Sequence, residues 1–346
     1  MYKVISLFSG CGGADQGVVG NFEFNRIRYK KLPYKIVFAN DIDQKALNTH
    51  KLNFDCKKVV CGDITELEDD IFPECDVVVG GFPCQSFSTV NPTKDPFDER
   101  ANLYKQMVRV VNAKNPKVFI AENVKGFMTL HKGEIYKKVI KAFENAGKYG
   151  YKTYPLLINA ANYGVPQRRE RVIIVGVRND IAGIRDYSFP EYTNENNWVP
   201  LSVAVPKLEI EDSKYYFSER AVQGMKNAKN NMKRGLAQNL NEPCLTVTSH
   251  LAKVSLNSRD PVLLVDPEKE RYRRFTPREA ARIQSFPDTF EFAGSEADAY
   301  RQIGNAIPPV MFWHIANSIN EYLKEIDREL KLQIPLKKDY LQKEVV

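Results

Sequence analysis

A single cysteine stands at a point where the sequence offers a nucleophile beside a polar loop. Cys84 follows the apolar run CDVVVGG and a Phe-Pro pair, so we place it just beyond the carboxyl end of a buried strand. Open α/β sheets bind their ligands at that edge. The thiolate is the reactive form of the side chain, and only a few per cent of a free cysteine is thiolate at neutral pH. The alternative for Cys84 is a small buried hydrophobic residue.

A carboxyl and two guanidinium groups are expected at the same edge. The run KVFIAENV predicts a neighbouring strand that ends near Glu122, and PQRRERV places Arg169 and Arg171 before another strand. Because side chains alternate along a strand, the two arginines should share one face. No histidine belongs to this cluster, which argues against a Cys–His hydrolase. The thiol therefore needs a chemistry other than activation by an imidazole.

A nucleotide-like pocket is expected beside this cluster. The first strand runs directly into FSGCGG, where Gly10, Gly12 and Gly13 permit a tight turn onto a helix N-terminus. Asp41 and Asp63 close the next two strands, where carboxylates can accept hydrogen bonds from a ribose and an adenine amine. A helix cap is the alternative for each acid. Together, at strand ends of one sheet, they favour a crevice for an adenosine-containing ligand.

These side chains need a sheet that brings strand ends together. Short apolar runs alternate with amphipathic stretches in the first half, which predicts an α/β fold with a parallel, doubly wound sheet. The predicted strands are residues 3–8, 35–40, 75–81, 117–124, 151–160 and 171–177. The predicted helices open at Gly13 and cover residues 42–53, 103–113, 133–147, 276–286 and 307–323.

The alternating pattern breaks in the middle of the chain. We expect a catalytic and cofactor-binding domain of residues 1–179 and 272–346, and a smaller, mostly irregular or β domain of residues 180–271. The basic and aromatic segment of residues 21–34 is predicted to be a surface insertion rather than a DNA contact. The charged tail of residues 337–346 is expected to be frayed.

The composition limits the class of protein. The chain has 346 residues, and 50 Lys and Arg against 43 Asp and Glu give a net charge of +7, which permits a polyanionic partner. No stretch approaches the ~20 apolar residues of a membrane span, and the first residues lack a signal-peptide pattern, so we expect a cytoplasmic protein without membrane contact. The six cysteines form no CxxC pair and the histidines are scattered, so reduced thiols and no metal site are expected.

An ordered series of motifs carries a family resemblance over nearly the whole chain. The motifs are FSGCGG, NDID, GDI, GGFPCQSFS, AENV, PQRRERV, EPCLTVT, RRFTPREAARIQSFP and QIGNAIPP. In order and spacing they resemble the DNA (cytosine-5)-methyltransferases of the bacterial restriction–modification type. The resemblance implies a Rossmann-like sheet domain that binds S-adenosylmethionine and releases S-adenosylhomocysteine, with a small target-recognition domain.

The resemblance also implies catalytic roles. Cys84 matches the nucleophile that adds to C6 of cytosine, and Glu122 matches the carboxyl that binds N3 and the exocyclic amine. Arg171, with Arg169, matches the arginines that hold cytosine O2 and the active-site loop. The acceptor of the C5 proton is not visible in the sequence. Because C5 is stacked inside a duplex, the base must be flipped out before it reacts.

The implied cofactor contacts come from the strand ends and the GNAIPP segment. Asp41 matches the ribose acid, where Glu is more usual, and Ile42 lies where a larger apolar residue, often Trp, covers the adenine. For Asn305, a turn residue before a helix is the alternative. The implied cofactor-binding set is Phe8, Ser9, Gly10, Gly12, Gly13, Asp41, Ile42, Asp63, Ile64, Pro83, Asn305 and Ala306.

Duplex DNA is the expected partner. The polar loop after Cys84 should close over the flipped nucleotide, the run at residues 226–235 should track phosphates, and residues 245–255 should enter the major groove. A solvated charge run is the alternative for residues 226–235. The candidate DNA contacts are Gln85, Ser86, Ser88, Arg100, Gln167, Lys226, Lys229, Lys233, Arg234 and Thr248.

Two other functions compete with this interpretation. A tRNA-directed relative would share the chemistry, but the Cys-Phe-Thr usual in that group is absent from the recognition region. A catalytically inactive scaffold is disfavoured by the intact Cys84, Glu122, Arg171 and Asn305. We expect a monomer, and a cognate restriction endonuclease acting on the same site without needing to form a complex. The target sequence cannot be read from these residues.

Overall fold

The computed structural model describes residues 1–83, 103–192, 197–227, 237–256 and 260–341, with side chains through residue 332. Within these residues the strands are β1 (Tyr2–Leu7), β2 (Phe22–Phe24), β3 (Ile27–Tyr29), β4 (Tyr34–Asp41), β5 (Val59–Cys61), β6 (Val77–Gly80), β7 (Val118–Val124), β8 (Tyr151–Asn159), β9 (Gln167–Arg168), β10 (Glu170–Arg178), β11 (Cys244–Leu245), β12 (Leu263–Asp266) and β13 (Arg271–Arg273). The helices are α1 (Gly13–Val19), α2 (Gln44–Asn53), α3 (Leu103–Lys114), α4 (Glu134–Glu144), α5 (Asn179–Ala182), α6 (Glu219–Lys226), α7 (Pro277–Ile283), α8 (Glu296–Asn305) and α9 (Pro309–Leu341).

Seven of these strands form one sheet in the order β5-β4-β1-β6-β7-β10-β8. The five strands from β5 to β7 are parallel, as predicted. The prediction of a wholly parallel sheet is wrong, because β10 runs antiparallel to both β7 and β8. Only residues 160–169 separate β8 from β10, and a parallel return needs a crossover of a dozen or more residues. The fold is therefore α/β with a mixed sheet.

Helices cover both faces of the sheet, and the strand sequences show why. Neighbouring residues on one strand face opposite sides, so Val77 packs with α1 and α9 while Val78 packs with α3 and α4. The same alternation separates Val118 from Phe119 on β7. Strands that are apolar at consecutive positions are typical of a sheet buried on both faces. The strand ends are then the parts of the sheet that remain open to a ligand.

Residues 180–271, the middle segment, contain little regular secondary structure where they are described, as expected. The middle segment nevertheless packs closely against the rest of the chain. Its strand β11 pairs in parallel with β9 of the preceding segment. Its apolar residues Cys244 and Val247 share one buried cluster with Phe275 and Tyr300 of the following segment. The middle and C-terminal segments therefore form a common core.

The insertion at residues 21–34 forms a hairpin, in which β2 and β3 pair antiparallel. Phe22 and Tyr29 are buried in the core shared with α9, and the ring centroids of Tyr29 and Trp313 lie 5.3 Å apart. The indole of Trp313 also donates a 2.9 Å hydrogen bond to the carbonyl oxygen of Lys30. The insertion therefore lies at the surface, as predicted, but its aromatic side chains belong to the core.

The last helix is longer than the sequence pattern predicts. The prediction that it ends at about residue 323 is wrong, because α9 continues to Leu341. Its apolar residues through Ile326 pack on the sheet, which accounts for the periodicity near its start. No helix in the described part of the chain combines the length and apolarity needed to cross a membrane.

Candidate active site

A cavity of about 1230 Å³ lies at the carboxyl ends of β1, β4, β5, β6 and β7. The chain leaves β1 toward β4 on one side and reaches β6 on the other, so this is the topological switch point where such sheets bind ligands. Of the residues implied to bind the cofactor, all except Gly12 line the cavity. The candidate catalytic residues Glu122, Arg169 and Arg171 line it too.

The glycine-rich turn after β1 serves two purposes. Gly10 (φ +53°) and Gly12 (φ +93°) have left-handed backbone conformations, and so does Phe8 at φ +52°. A Cβ at Gly12 would lie 2.3 Å from the Phe54 ring, and one at Gly13 would lie 2.5 Å from a backbone oxygen, so both allow packing within the protein. A Cβ at Gly10 would meet nothing within 4 Å. Gly10 alone of these three opens onto free space.

Two carboxylates form one side of the cavity and also hold the backbone around it. Asp41 accepts the amide N–H of Gly10 at 2.8 Å and that of Asp43 at 2.9 Å. Burial raises the pKa of Asp41, and these N–H bonds oppose the shift. Asp63 accepts the amide and hydroxyl of Thr65 at 2.9 and 2.8 Å, which is the cap role considered as its alternative. Asp63 is thus oriented by its own loop, whereas Asp41 is oriented by its own loop and by the glycine-rich turn after β1.

The two isoleucines implied to contact adenine differ in burial. Ile42 is 71% exposed at the rim of the cavity, whereas Ile64 is buried. An apolar side chain at such a rim can be covered only by a ligand or a partner. The backbone carbonyl of Ile42 also accepts a 3.6 Å hydrogen bond from the thiol of Cys61, which joins the ends of β4 and β5.

The carboxyl and guanidinium predicted at neighbouring strand ends meet directly. Glu122 Oε1 lies 2.9 Å from Arg171 Nε, and both side chains are largely buried. Arg171 also donates to the backbone oxygen of Glu170 at 2.7 Å, which fixes the guanidinium. The second carboxylate oxygen of Glu122 lies 3.2 Å from the position of a Cβ built on Gly81. A glycine at residue 81 therefore leaves room for Glu122 beside the end of β6.

The segment that carries the thiol is anchored at its start. Asn123 donates a 3.1 Å hydrogen bond from Nδ2 to the carbonyl oxygen of Phe82, which ties the end of β6 to the end of β7. Pro83 lines the cavity, and Cys84 is the next residue. Several predicted site residues lie outside the described residues, namely Cys84, Gln85, Ser86, Ser88, Arg100, Lys229, Lys233 and Arg234.

Arg169 and Arg171 do not act on the same group, although both border the cavity. Arg169 is 3% exposed and donates to the backbone oxygens of Val247, Gly304 and Ala306, each at 3.1 Å. Burial lowers the pKa of Arg169 well below its usual value, and the charge of Arg171 adds to this. The contacts of Arg169 are those of a residue that positions the backbone, whereas Arg171 contacts Glu122.

The predicted DNA contact at Gln167 is wrong. Its side chain is fully buried, and its Nε2 donates to Gln284 Oε1 at 2.9 Å while its Oε1 accepts the amide of Val247 at 2.9 Å. A side chain enclosed by its own chain in this way has no surface to offer to a duplex. Thr248 is half-buried and bonded to Asp260, and Lys226 is exposed and paired with Glu270.

Asn305 ends α8 at the border of the cavity and is exposed, and Ala306 beside it is buried. Sequence reasoning missed the residues that hold this segment, above all Gln284. Its amide nitrogen donates to the backbone oxygens of Ile303 (2.7 Å) and Ala306 (3.3 Å). Gln284 lies inside the motif RRFTPREAARIQSFP, so the motif marked the segment without revealing this side chain's role.

His131 is a second residue at this cavity that the sequence did not single out. It lines the cavity from the loop after β7, with φ +47°, and the next residue, Lys132, has φ +56°. Left-handed conformations are unusual for residues other than glycine.

Among the described residues there is no group of three or more His, Cys, Asp or Glu side chains placed to hold a metal ion.

Comparisons with known proteins agree with this architecture. M.NgoFVII, a Type II methyltransferase of Neisseria gonorrhoeae, is 37% identical over 92% of this chain and 86% of that protein. M.FnuDI, a Type II methyltransferase of Fusobacterium nucleatum, is 32% identical over 94% of this chain and 96% of that protein. The solved structure of the S. pombe Dnmt2 methyltransferase superposes with a TM-score of 0.69 at 21% identity, covering 94% of this chain and 99% of that chain, which shows the fold. The profile for C-5 cytosine-specific DNA methylases matches residues 2–321, and the chain belongs to that family.

Proposed function

We propose that this chain methylates C5 of a cytosine in a specific duplex DNA sequence through a covalent bond from Cys84 to C6. The observation that carries the proposal is the pair of Glu122 and Arg171, with Oε1 and Nε 2.9 Å apart. This pair borders the same cavity as the glycine turn and Asp41. One cavity therefore offers a place for a nucleotide cofactor and, beside it, groups suited to a flipped pyrimidine.

The residues present fit S-adenosylmethionine. Gly10 leaves open space where any side chain would project into the cavity, and Asp41 and Asp63 provide acceptors at two neighbouring strand ends. We propose that Asp41 holds the ribose hydroxyls, that Asp63 and Ile64 contact the adenine, and that Asn305 borders the methionine end. When bound, the cofactor supplies the electrophilic methyl group.

The protein groups act on the cytosine ring. We propose that Cys84 Sγ forms a bond to C6 while Glu122 donates a proton to N3, so that C5 becomes nucleophilic. Arg171 holds Glu122 Oε1, which directs Oε2 toward the end of β6, three residues before Cys84. After C5 gains the methyl group, a water molecule accepts the C5 proton, the Cys84 thiolate leaves C6, and N3 returns its proton to Glu122, which restores the C5–C6 double bond.

We propose that residues 180–271 form the target-recognition domain and that residues 1–179 and 272–346 form the catalytic domain. The relatives M.NgoFVII and M.FnuDI are Type II methyltransferases, which supports a role in protecting host DNA within a restriction–modification system. Contacts from basic residues such as Lys226 to DNA phosphates should make DNA binding salt-sensitive. The logarithm of the binding constant should fall with the logarithm of the salt concentration, with a slope of roughly −0.9 per phosphate contacted. Binding that does not change with salt would contradict this part of the proposal.

The test combines a substrate survey with a trap. Bisulfite sequencing of DNA from cells that express the chain should show methylated cytosines in one sequence context, and purified protein should form a covalent adduct with a duplex carrying 5-fluorocytosine there. Cys84→Ser should abolish both methyl transfer and the adduct while sparing cofactor binding. Methyl transfer to tRNA instead of duplex DNA would favour the tRNA-directed alternative. Absence of both transfer and adduct would favour the scaffold.

A further inference from the structure

Three segments that are far apart in sequence meet at a buried polar cluster beside the cavity. We name it the junction cluster, and it consists of the side chains of Gln167, Arg169 and Gln284. Gln167 and Gln284 are fully buried, and Arg169 is 3% exposed. The cluster lies between the strand that leads to Arg171, residues 244–250 of the middle segment, and residues 303–306 at the cavity.

Arg169 bridges two of these segments with one guanidinium group. Its Nη1 donates to the carbonyl oxygen of Val247 at 3.1 Å. Its Nη2 donates to the carbonyl oxygens of Gly304 and Ala306, also at 3.1 Å each. The two residues held by Nη2 flank Asn305, which borders the cavity. A planar guanidinium fixes the relative positions of such acceptors because its donors are rigid.

The two glutamines make a second bridge between the same segments. Gln167 accepts the amide of Val247 at 2.9 Å and donates to Gln284 Oε1 at 2.9 Å. Gln284 in turn donates to the carbonyl oxygens of Ile303 and Ala306. Val247 is therefore held at both its N–H and its C=O. Arg169 links the C=O to residues 304 and 306, and Gln167 with Gln284 links the N–H to residues 303 and 306.

The backbones of residues 248–249 and of residue 304 are also in close contact, so these two segments are tightly packed against each other. A Cβ built on Gly304 would lie 2.1 Å from the carbonyl carbon of Thr248 and 2.3 Å from the amide nitrogen of Ser249. Buried polar groups that lose their partners are costly, by about 1–3 kcal/mol each. A shift of residues 247–249 therefore has to carry residues 304–306 with it or break several buried hydrogen bonds.

We propose that the junction cluster couples DNA binding by residues 244–250 to cofactor binding at residues 304–306, with Gln167, Arg169 and Gln284 as positioning residues. This inference rests on the proposed function, in which the middle segment recognises DNA. Arg169 lies two residues before Arg171, so the cluster also connects both events to the side chain that holds Glu122. Coupling between two binding sites is reciprocal, so each ligand should tighten the other by the same factor.

The wild-type protein gives the first measurement. S-adenosylhomocysteine is titrated alone and in the presence of a short duplex carrying the sequence identified by bisulfite sequencing. We expect the dissociation constant to fall about 5–150-fold with the duplex, the usual range for coupled sites. Methylation without any such change in affinity would overturn the inference while leaving the proposed function intact. Absence of methylation would instead count against the proposed function.

Arg169→Lys tests the bridge itself, because a single point charge replaces the planar fork that holds three carbonyls. We expect the coupling factor, which is the ratio of the S-adenosylhomocysteine dissociation constants without and with duplex, to fall at least fivefold. Arg168→Lys is the matched control. Arg168 is the adjacent arginine and contacts Glu242 of residues 180–271, but within the described part of the chain it makes no hydrogen bond to residues 303–306. Its coupling factor should stay at the wild-type value.

Two outcomes of the variant experiment would contradict the inference. One is a folded Arg169→Lys protein with unchanged coupling, and the other is an equal loss in Arg168→Lys. If Arg169→Lys fails to fold, hydrogen exchange of the wild-type protein decides. S-adenosylhomocysteine alone should then slow exchange of the Val247 amide, which bonds to Gln167, and duplex alone should slow exchange of the Ala306 amide. Unaltered exchange at both amides would refute the coupling.

Discussion

Two arginines are buried where the middle segment meets the rest of the chain, and their surroundings differ. Arg273 donates to both carboxylate oxygens of Glu279, at 2.7 and 2.8 Å, and also to the carbonyl oxygens of Lys207 and Leu208. Arg169 has only backbone carbonyls as hydrogen-bond partners among the described residues. The buried charge of Arg273 is thus paired with a carboxylate, whereas the buried charge of Arg169 is surrounded by neutral carbonyl groups.

We expect this difference to separate a junction that only holds the fold together from one that also serves the proposed function. A buried cation that is paired with a carboxylate and bonded at every nitrogen has one stable arrangement. Arg169 keeps its charge among neutral oxygens, and the nearest charges are those of Glu122 and Arg171 in the cavity. Because Arg169 lines the cavity and Arg273 does not, we expect a bound ligand to change the surroundings of Arg169 alone.

The contrast depends first on Glu122, the anion closest to the unpaired arginine. Glu122→Gln keeps the size of the side chain but removes a group that can carry a proton to cytosine N3. We expect kcat to fall about 10²–10⁴-fold, the usual contribution of a general acid, with little change in the affinity for S-adenosylhomocysteine. Glu170→Gln is the control, because Glu170 is exposed and paired with Lys125. A normal kcat in Glu122→Gln would remove Glu122 from the chemistry.

The paired arginine should respond in stability instead. Glu279→Gln leaves the fully buried charge of Arg273 without its anion, while the amide oxygen of the new side chain can still accept the Thr276 N–H in the capping box at the start of α7. We expect the free energy of unfolding in urea to drop by about 3–5 kcal/mol, as for other broken buried pairs. Asp288→Asn breaks the more exposed pair with Arg282 and should cost less than about 1 kcal/mol. Equal losses in the two variants would contradict the contrast.

A third base, His314, is only partly exposed and extends the comparison. His314 contacts the rings of Tyr29, Tyr163 and Trp313, and burial lowers its pKa from 6.5 to about 4. Between these values the unfolded chain binds the proton and the folded protein does not, so stability should be full above about pH 6.5 and be lost toward pH 4. The shift corresponds to about 3 kcal/mol.

The measurement for His314 is the free energy of unfolding as a function of pH. His314→Phe should flatten the profile between about pH 4 and 6.5, whereas the exposed His250→Gln should leave it unchanged. A profile that keeps its slope in His314→Phe would assign the pH dependence to other groups. His314, which is packed among aromatic rings, should thus stay neutral down to about pH 4, whereas Arg169 keeps its charge because the pKa of a guanidinium is far higher.

The cofactor side of the cavity could be predicted from the sequence because its signals are local. The glycines follow β1 directly, and Asp41 and Asp63 stand at strand ends, so the position along the chain also gives the position in space. Glu122 and Arg171 were predicted for the same reason. The antiparallel β10 did not prevent this, because its first residues pair with the last residues of β7.

The junction could not be predicted, since its partners are distant in sequence. Arg169 and the carbonyls that it binds are separated by 78, 135 and 137 residues, and Gln167 lies 117 residues from Gln284. Strand alternation placed Arg169 and Arg171 on one face, but Arg169 lies between β9 and β10 rather than inside one strand. A backbone carbonyl carries no residue type, so no sequence pattern reveals that it will be a partner.

The smallest predicted effect concerns a partly buried acid that mirrors Arg169. Asp41 has two backbone amides as partners, and burial raises its pKa in the same way that it lowers that of Arg169. Asp41→Asn should raise the dissociation constant of S-adenosylhomocysteine about tenfold, because a charged acceptor for the ribose is lost, while the change in stability stays within about 1 kcal/mol. Asp76→Asn is the matched control, because Asp76 also accepts a backbone amide, that of Lys3, but at the amino end of the sheet. If both variants weaken cofactor binding equally, the effect belongs to the sheet and not to a ribose contact. If only Asp41→Asn weakens cofactor binding, a charge that is held by backbone groups alone can also bind a ligand. The same reasoning then applies to Arg169.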